Sequence, residues 1–271
     1  LVHHLRSSEL EHPPLLRALY REAERLYLNS VDALLYNSRT TQAAVEQLLR
    51  QPKAHHVAYP AADHLPAPHP AASLPHPAAS LPHLAARSRQ AGPLRLLFVG
   101  NLIKRKGLHL VLDALSTLPV DFWQLSIVGS HDAQDDYAKH MRRRAASFPP
   151  GTVNFCGRLS DAQLVEQYRT HHLFVLPSYE GFGIACLEAM RFGLPVIAAT
   201  AGAAREIVTC GENGFLIDPT DAAALAQYVH ALQRNRERLL ALSFAAQRRY
   251  SQHPTWEQSM AHAAAWLTSL T

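Results

Sequence analysis

Cysteine is scarce: Cys156, Cys186 and Cys210 are the only three in 271 residues. They are odd in number and far apart, which excludes a disulfide scaffold and leads us to expect buried thiols in a reducing, cytoplasmic setting. Long apolar runs are missing too. Although 48% of the residues are hydrophobic, no stretch approaches the roughly 20 residues that cross a bilayer as a helix. Charge of one sign is not in excess, since 26 Lys+Arg against 22 Asp+Glu leave only +4. That removes the basic footprint of a nucleic-acid binder, and no nucleic-acid partner is expected. The P-loop spacing G-x-x-x-x-G-K-[ST] is also absent. No basic amphipathic helix demands a membrane, so peripheral contact at the inner membrane face stays open beside the cytoplasmic expectation.

Proline, by contrast, is unevenly distributed. Eight of the 18 prolines fall within 60–93, around a tandem repeat HPAASLP at 69–75 and 76–82. Such a stretch is too proline-rich for a helix or a central strand, and an extended, largely disordered linker is expected. Its His64, His69, His76 and His83 read as low-complexity filler rather than metal ligands. Upstream, "LLRALYREAERLYL" (15–28) predicts an amphipathic helix, "VDALLYNS" (31–38) a buried strand, "RTTQAAVEQLLR" (39–50) a helix and "HHVAYP" a short strand. This αβαβ piece cannot cover both faces of a sheet alone.

Downstream, short apolar runs alternate with helical patterns: strands at 94–100, 123–129, 153–157, 173–178, 195–199 and 214–218, with helices from about 107, 134, 160, 183 and 202 between them. Three helical stretches (221–233, 235–250, 255–270) follow. Continuous apolar strands separated by helices predict a doubly wound parallel sheet. Ligands of such sheets lie beyond the carboxyl ends of the strands, which directs attention to the residues that follow each strand.

The first strand runs into "GNLIKRKG" (100–107), with Lys104, Arg105 and Lys106 between glycines just before a helix. A solvated charge run would look similar, but a helix N-terminus and three cations together suit a phosphate. "YEGFGIACLEAM" (179–190) places Glu180 before a turn containing Gly181 and Gly183, and Glu188 in the helix that follows. The glycines let a ligand approach the backbone. Glu180 can accept bonds from sugar hydroxyls, and Glu188 can take a ribose diol. Two rival readings stand: Glu188 as an ordinary, partly exposed helix residue, and the pair as the carboxylates of a glycoside hydrolase. The cluster "HDAQDD" (131–136), with Asp132, Asp135 and Asp136, reads as helix capping before a metal site.

At these residues the chain resembles the retaining glycosyltransferases of family 4, of GT-B fold. The similarity runs through "VGNLIKRKGLHLVLDAL", "NFCGRLSDAQLVEQY", "LPSYEGFGIACLEAMRFGLPVIA" and "GENGFLIDPTD", essentially all of 94–234. The resemblance implies that Glu188 binds the donor ribose and Glu180 faces the transferred sugar. Gly181, Phe182, Gly183 and Ile184 would lie around the sugar and β-phosphate, and Lys106 on the diphosphate, beside Gly100 and Arg105. Arg158 and Leu159, after Gly157, would border the nucleobase. Two departures stand out: Asn101 replaces a usual arginine, and "GAAREI" (202–207) carries Ala203 and Arg205 where a glycine and a proline are common. "LVHHLRSSE" resembles the end of a first-domain strand from which a histidine approaches the sugar; His3 fits that place best, His4 next.

The resemblance thus implies an α/β protein of GT-B type: a remnant of an acceptor-side Rossmann-like domain (1–59), the linker (60–93), a complete donor-binding Rossmann-like domain (94–250) and a terminal helix returning to the first domain (251–271). About a hundred first-domain residues are expected upstream, so the chain alone should be poorly active. The function implied is transfer of a sugar from a nucleoside-diphosphate sugar to an acceptor, with retention and without metal or other cofactor. The acceptor could be a sugar, a lipid-linked sugar or a small molecule. A nucleotide-sugar epimerase, a phosphorylase and a non-catalytic nucleotide-sugar binding module are the alternatives.

Overall fold

A computed structural model describes residues 1–9, 12–65, 81–130 and 135–270. Its larger unit is a six-stranded, all-parallel sheet of β3 (Leu94–Val99), β4 (Trp123–Val128), β5 (Val153–Gly157), β6 (Leu173–Leu176), β7 (Val196–Ala199) and β8 (Gly214–Ile217). The strands lie in the order β5-β4-β3-β6-β7-β8, the doubly wound order in which the chain reverses direction beside its first strand. β6 and β7 are buried at every residue, as expected of strands with helices on both faces. Those helices are α4 (Leu108–Ser116), α5 (Asp135–Ala145), α6 (Asp161–Thr170), α7 (Ile184–Arg191), α8 (Ala222–Arg234) and α9 (Arg236–Ser251). The topology puts the switch point between β3 and β6, and the loops leaving these two strands are the cationic loop and the Glu180 turn.

The smaller unit holds α1 (Pro14–Ser30), β1 (Ala33–Tyr36), α2 (Arg39–Glu46) and β2 (Ala54–Val57). β1 and β2 pair in parallel, and Val2 bridges to Tyr36 on the other side of β1. Its core is Leu5, Leu28, Leu34, Tyr36, Val45 and Leu48. The last helix, α10 (Trp256–Thr268), lies against this unit: Ser259 Oγ donates to Tyr59 O at 2.6 Å, and the Trp266 ring stacks on His56 at 5.6 Å. Among the described residues no helix is long and apolar enough to cross a membrane.

Three expectations need correction. Residues 66–80, with His69 and His76, lie outside the described residues, but the rest of the expected linker is not extended filler. Ala62 and Leu65 join the main core, and Leu81–Arg89 forms a helix, α3, packed on α9. Pro82 is compatible with that helix because it sits in the first turn, where its missing N–H costs no bond. The helix expected from 202 is instead a short 3-10 turn, Ala203–Glu206. Of the three thiols only Cys186 is buried; Cys156 is half-buried and Cys210 exposed.

α3 also delivers a buried arginine. Arg87 is 6% exposed and donates to Tyr168 O, Phe192 O and Gly193 O at 3.3, 2.9 and 2.7 Å. It thereby ties together the carboxyl ends of α6 and α7, where helix carbonyls lack partners. His172 lies beneath it. Its Nδ1 accepts from the Arg95 N–H at 2.9 Å and its Nε2 donates to Arg87 O at 3.0 Å, so the ring is held neutral. Burial, with Arg95 next, pushes its pKa down to about 2, and burial pushes neighbouring His171 down to about 4.

A depressed histidine pKa means the folded state binds fewer protons than the unfolded state on acidification. The stabilisation these groups permit is present above the unfolded value near 6.5 and is lost as pH falls towards 4 and 2. Glu188, raised by burial, acts in the opposite sense and offsets part of the loss. Thermal or urea unfolding should therefore show stability dropping by about 3 kcal/mol between pH 7 and pH 5. A flat profile there would contradict the neutral, buried assignment.

Candidate functional site

Two loops meet at the switch point. The β3–α4 loop carries Lys106, and the β6–α7 loop carries Glu180. Lys106 Nζ lies 2.5 Å from Glu180 Oε1, which also accepts from Ser178 Oγ. Arg105 donates to Tyr179 O at 2.7 Å, and its guanidinium stands 3.8 Å from Glu180 on one side and 3.8 Å from Glu9 on the other. Both Lys106 and Glu180 are partly exposed, at 17% and 15% of their side chains. α7 starts at Gly183, whose φ of +95° suits glycine and which provides no side-chain cap. A lysine and an arginine thus converge on one carboxylate just ahead of a helix N-terminus, an arrangement able to take a multiply charged anion.

Glu188 is not a partly exposed helix residue: it is 8% exposed. Tyr168 donates to its Oε2 at 2.7 Å, and His64 Nε2 stands 3.4 Å from its Oε1. Burial raises its pKa, while the Tyr168 bond works against that rise. Gly100, Asn101, Arg158 and Leu159 come together with Val99, Val128, Gly129 and Ser130 around a cleft of about 230 Å³ at the ends of β3, β4 and β5. The thiol of Cys186, pushed up by burial, is a core group rather than a nucleophile.

The smaller unit supplies the opposite wall. A Cβ on Gly181 would lie 2.2 Å from His3 O, so this glycine is required by close approach rather than by its dihedral angles. Ser38 Oγ and Thr41 Oγ1 donate to Gly181 O at 2.8 and 3.3 Å. The His3 ring is exposed, and it is the His3 backbone that is placed against the turn; His4 Nε2 lies 2.9 Å from Glu9. Phe182 is buried and packs with Tyr59 and His253 at ring distances of 5.8 and 5.5 Å. Ile184 opens α7 and is half-buried.

Glu206 bridges the two units. Its carboxylate accepts from Arg39 N at 3.1 Å, Thr40 N at 2.7 Å, Thr40 Oγ1 at 2.6 Å and Tyr59 OH at 3.1 Å. It thus caps the first two N–H groups of α2 from outside α2's own unit, beside the helix's own N-cap Ser38, whose Oγ accepts from Thr41 N. Glu206→Ala should cost about 2 kcal/mol in urea unfolding, and Glu206→Gln roughly half of that. An unchanged midpoint for the alanine variant would show that the cap carries no weight.

The structure therefore brings Lys106, Arg105, Glu180 and the Gly181–Gly183 turn into one cluster, with Glu188 on the helix that the turn begins. Sequence reasoning missed Glu9, Tyr168 and Glu206, and dismissed His64. Glu9, Tyr168 and Glu206 each lie in a segment that the sequence singled out for other residues: "LVHHLRSSE", "NFCGRLSDAQLVEQY" and "GAAREI" (202–207). In the cluster read as capping, residues 131–134, including Asp132, lie outside the described residues; Asp135 and Asp136 occupy the first turn of α5, and Asp135 pairs with Lys139 at 2.6 Å.

Comparison with known proteins follows this geometry. The model of the family "Glycosyl transferases group 1" matches residues 85–249. A phosphatidyl-myo-inositol mannosyltransferase of Mycobacterium leprae is 36% identical over 57% of this chain and 42% of its own length. A glycogen synthase of Mycobacterium tuberculosis is 33% identical over 64% of this chain and 42% of its own. The chain thus spans less than half the length of these curated relatives. Among solved structures, Anabaena Alr3699/HepE in complex with UDP and glucose superposes with a TM-score of 0.78 at 24% identity, covering 99% of this chain and 70% of that one. Sucrose-phosphate synthase from Thermosynechococcus elongatus gives 0.79 at 23%, covering 99% and 67%. At these identities the structures speak for the fold, two Rossmann-like units of GT-B type, while the family model covers more than half of the sequence: the chain belongs to the group 1 glycosyl transferases.

Proposed function

We propose that this chain carries the nucleotide-sugar site of a retaining, family 4 glycosyltransferase, moving a sugar from a nucleoside-diphosphate donor to an acceptor with its anomeric configuration kept. The observation that carries the reading is the 2.5 Å contact of Lys106 with Glu180 at the switch point, with Glu188 buried on the helix that begins at the same turn. As the bond to the diphosphate breaks, negative charge grows on the leaving phosphate. Lys106, Arg105 and the α7 N-terminus then stabilise it, each well-placed donor contributing about 3 kcal/mol. Glu180, released from Lys106 when the diphosphate takes that cation, accepts from the sugar hydroxyls, and Glu188 takes the ribose. The cleft by Asn101, Arg158 and Leu159 receives the base. His3 flanks the sugar from the opposite wall. No protein nucleophile is assigned and no step uses a metal.

Support for a nucleoside-diphosphate donor comes from the related fold that has been solved with UDP-glucose and from relatives named for mannosyl transfer. The acceptor is a sugar, a lipid-linked sugar or a small molecule, at the inner membrane face or free in the cytoplasm. Transfer by this chain alone is expected to be slow, because positioning of both substrates needs both walls of the cleft. The test is proton NMR of the products from α-linked UDP-glucose and GDP-mannose with simple sugar acceptors. An α-linked product supports the reading; an inverted product, or sugar epimerised without acceptor, overturns it.

A further inference from the structure

Tyr168 is 20 residues from Glu188 and lies near the end of α6, fully buried. Its ring is stacked on Phe192 at 5.3 Å and 11° and packs on Phe174 at 6.3 Å. Its main chain is also held, because Arg87 donates both to Tyr168 O at 3.3 Å and to Phe192 O at 2.9 Å. The ring and the main chain of Tyr168 are thus each held by packing or hydrogen bonds. Its hydroxyl meets one atom of the Glu188 carboxylate, Oε2, at 2.7 Å. The other atom, Oε1, looks towards the half-exposed ring of His64 at 3.4 Å. The two oxygens thus differ: Oε2 is committed to the core, whereas Oε1 has the half-exposed His64 beside it.

We infer that Tyr168 is a positioning residue: it fixes the rotation of the Glu188 carboxylate so that Oε1 is the atom that reads a ribose hydroxyl. The inference rests on the donor-site reading above and adds to it the group that makes the ribose contact selective. A carboxylate's last torsion is broad and nearly free, so without the phenol its oxygens would have no fixed direction. Burial would also favour the protonated form, which the charge-assisted Tyr168 bond opposes. Both effects would weaken recognition of a ribose hydroxyl while leaving the diphosphate contacts at Lys106 and Arg105 untouched.

The test compares ribose with 2′-deoxyribose. The 271-residue chain is titrated calorimetrically with UDP and 2′-deoxy-UDP, and with GDP and 2′-deoxy-GDP, as wild type, Tyr168→Phe and Glu188→Gln. The wild type should prefer the ribonucleotide by about tenfold, the scale of one hydrogen bond to a charged group. Tyr168→Phe should reduce that preference to about twofold or less, with affinity for the deoxynucleotide within about threefold of wild type. If Tyr168→Phe keeps the wild-type preference while Glu188→Gln loses it, Tyr168 does not position the carboxylate, and the donor-site reading survives. If neither variant changes the preference, Glu188 does not read the 2′-hydroxyl, and both this inference and the assignment of that hydroxyl to Glu188 fall. Should Tyr168→Phe not fold, Phe192→Leu removes the stacking face without touching either polar group. A severalfold loss of preference there supports the inference, and full retention overturns it.

Discussion

Lys106→Ala is expected to lower sugar transfer by about 10²–10³-fold, the scale of losing one donor aimed at charge that develops in the transition state. Lys106 Nζ already stands 2.5 Å from Glu180, and among the three cations of its loop it alone makes so short a contact with that carboxylate among the described residues. Arg105 stands 3.8 Å away, shared between Glu180 and Glu9 and tied to Tyr179 O, so it keeps its own place and does not take over that of Lys106. Asn101, just past the end of β3, provides no second charge. The lysine stem also packs over Gly100, whose added Cβ would lie 3.4 Å from Lys106 Cδ. Lys106→Met therefore separates charge from packing: it should fall as far as the alanine variant in transfer rate, with thermal midpoints within a few degrees of wild type. Activity of the methionine variant within tenfold of wild type would mean that the charge is not what stabilises the leaving group.

Gly202→Ala should be strongly destabilising, costing about 4 kcal/mol. Gly202 has φ +82° and ψ −160°, a region that residues with a Cβ almost never occupy. An added Cβ would lie 2.3 Å from Glu180 O and 2.8 Å from Glu180 N, which are backbone atoms that cannot step aside. Gly202 also bridges to Glu180, and Ala203 N donates to Glu180 O at 2.8 Å. The exchange would therefore push the Glu180 turn as well as strain its own loop. Gly211→Ala is the control, since Gly211 has φ +81° and nothing within 4 Å of an added Cβ. It should cost only the left-handed strain of about 1–2 kcal/mol. Urea unfolding of both variants checks the difference, and equal losses would show that the backbone contact at Glu180 is not tight.

How much of this was legible in the sequence depends on how local each signal is. The strands of the large sheet were readable because burial on both faces forces continuous apolar runs such as "LFVL", and every residue of that run is buried. That Glu180 and Lys106 stand at neighbouring strand ends was readable because glycines and cations mark the loops that carry them. Tyr168 was not, because its contact with Glu188 joins two helices through the core and leaves no pattern in either. His64 and α3 were hidden by composition: proline-rich surroundings read as linker, whereas tertiary burial of Leu84, Arg87 and Ser88 overrides the weak local preference. The 3-10 turn at Ala203–Glu206 replaced an expected helix because Glu206 is recruited to cap α2 in the other unit. That interaction spans 166 residues of sequence.

The central claim is that Glu188 and Lys106 hold the two ends of one nucleoside diphosphate. Calorimetric titration of the chain with UDP, GDP and ADP, beside Glu188→Ala and Lys106→Ala, tests it most directly. The account predicts that one of the three nucleotides binds and that each substitution weakens it by about 1–3 kcal/mol. Binding that is indifferent to both substitutions would contradict it.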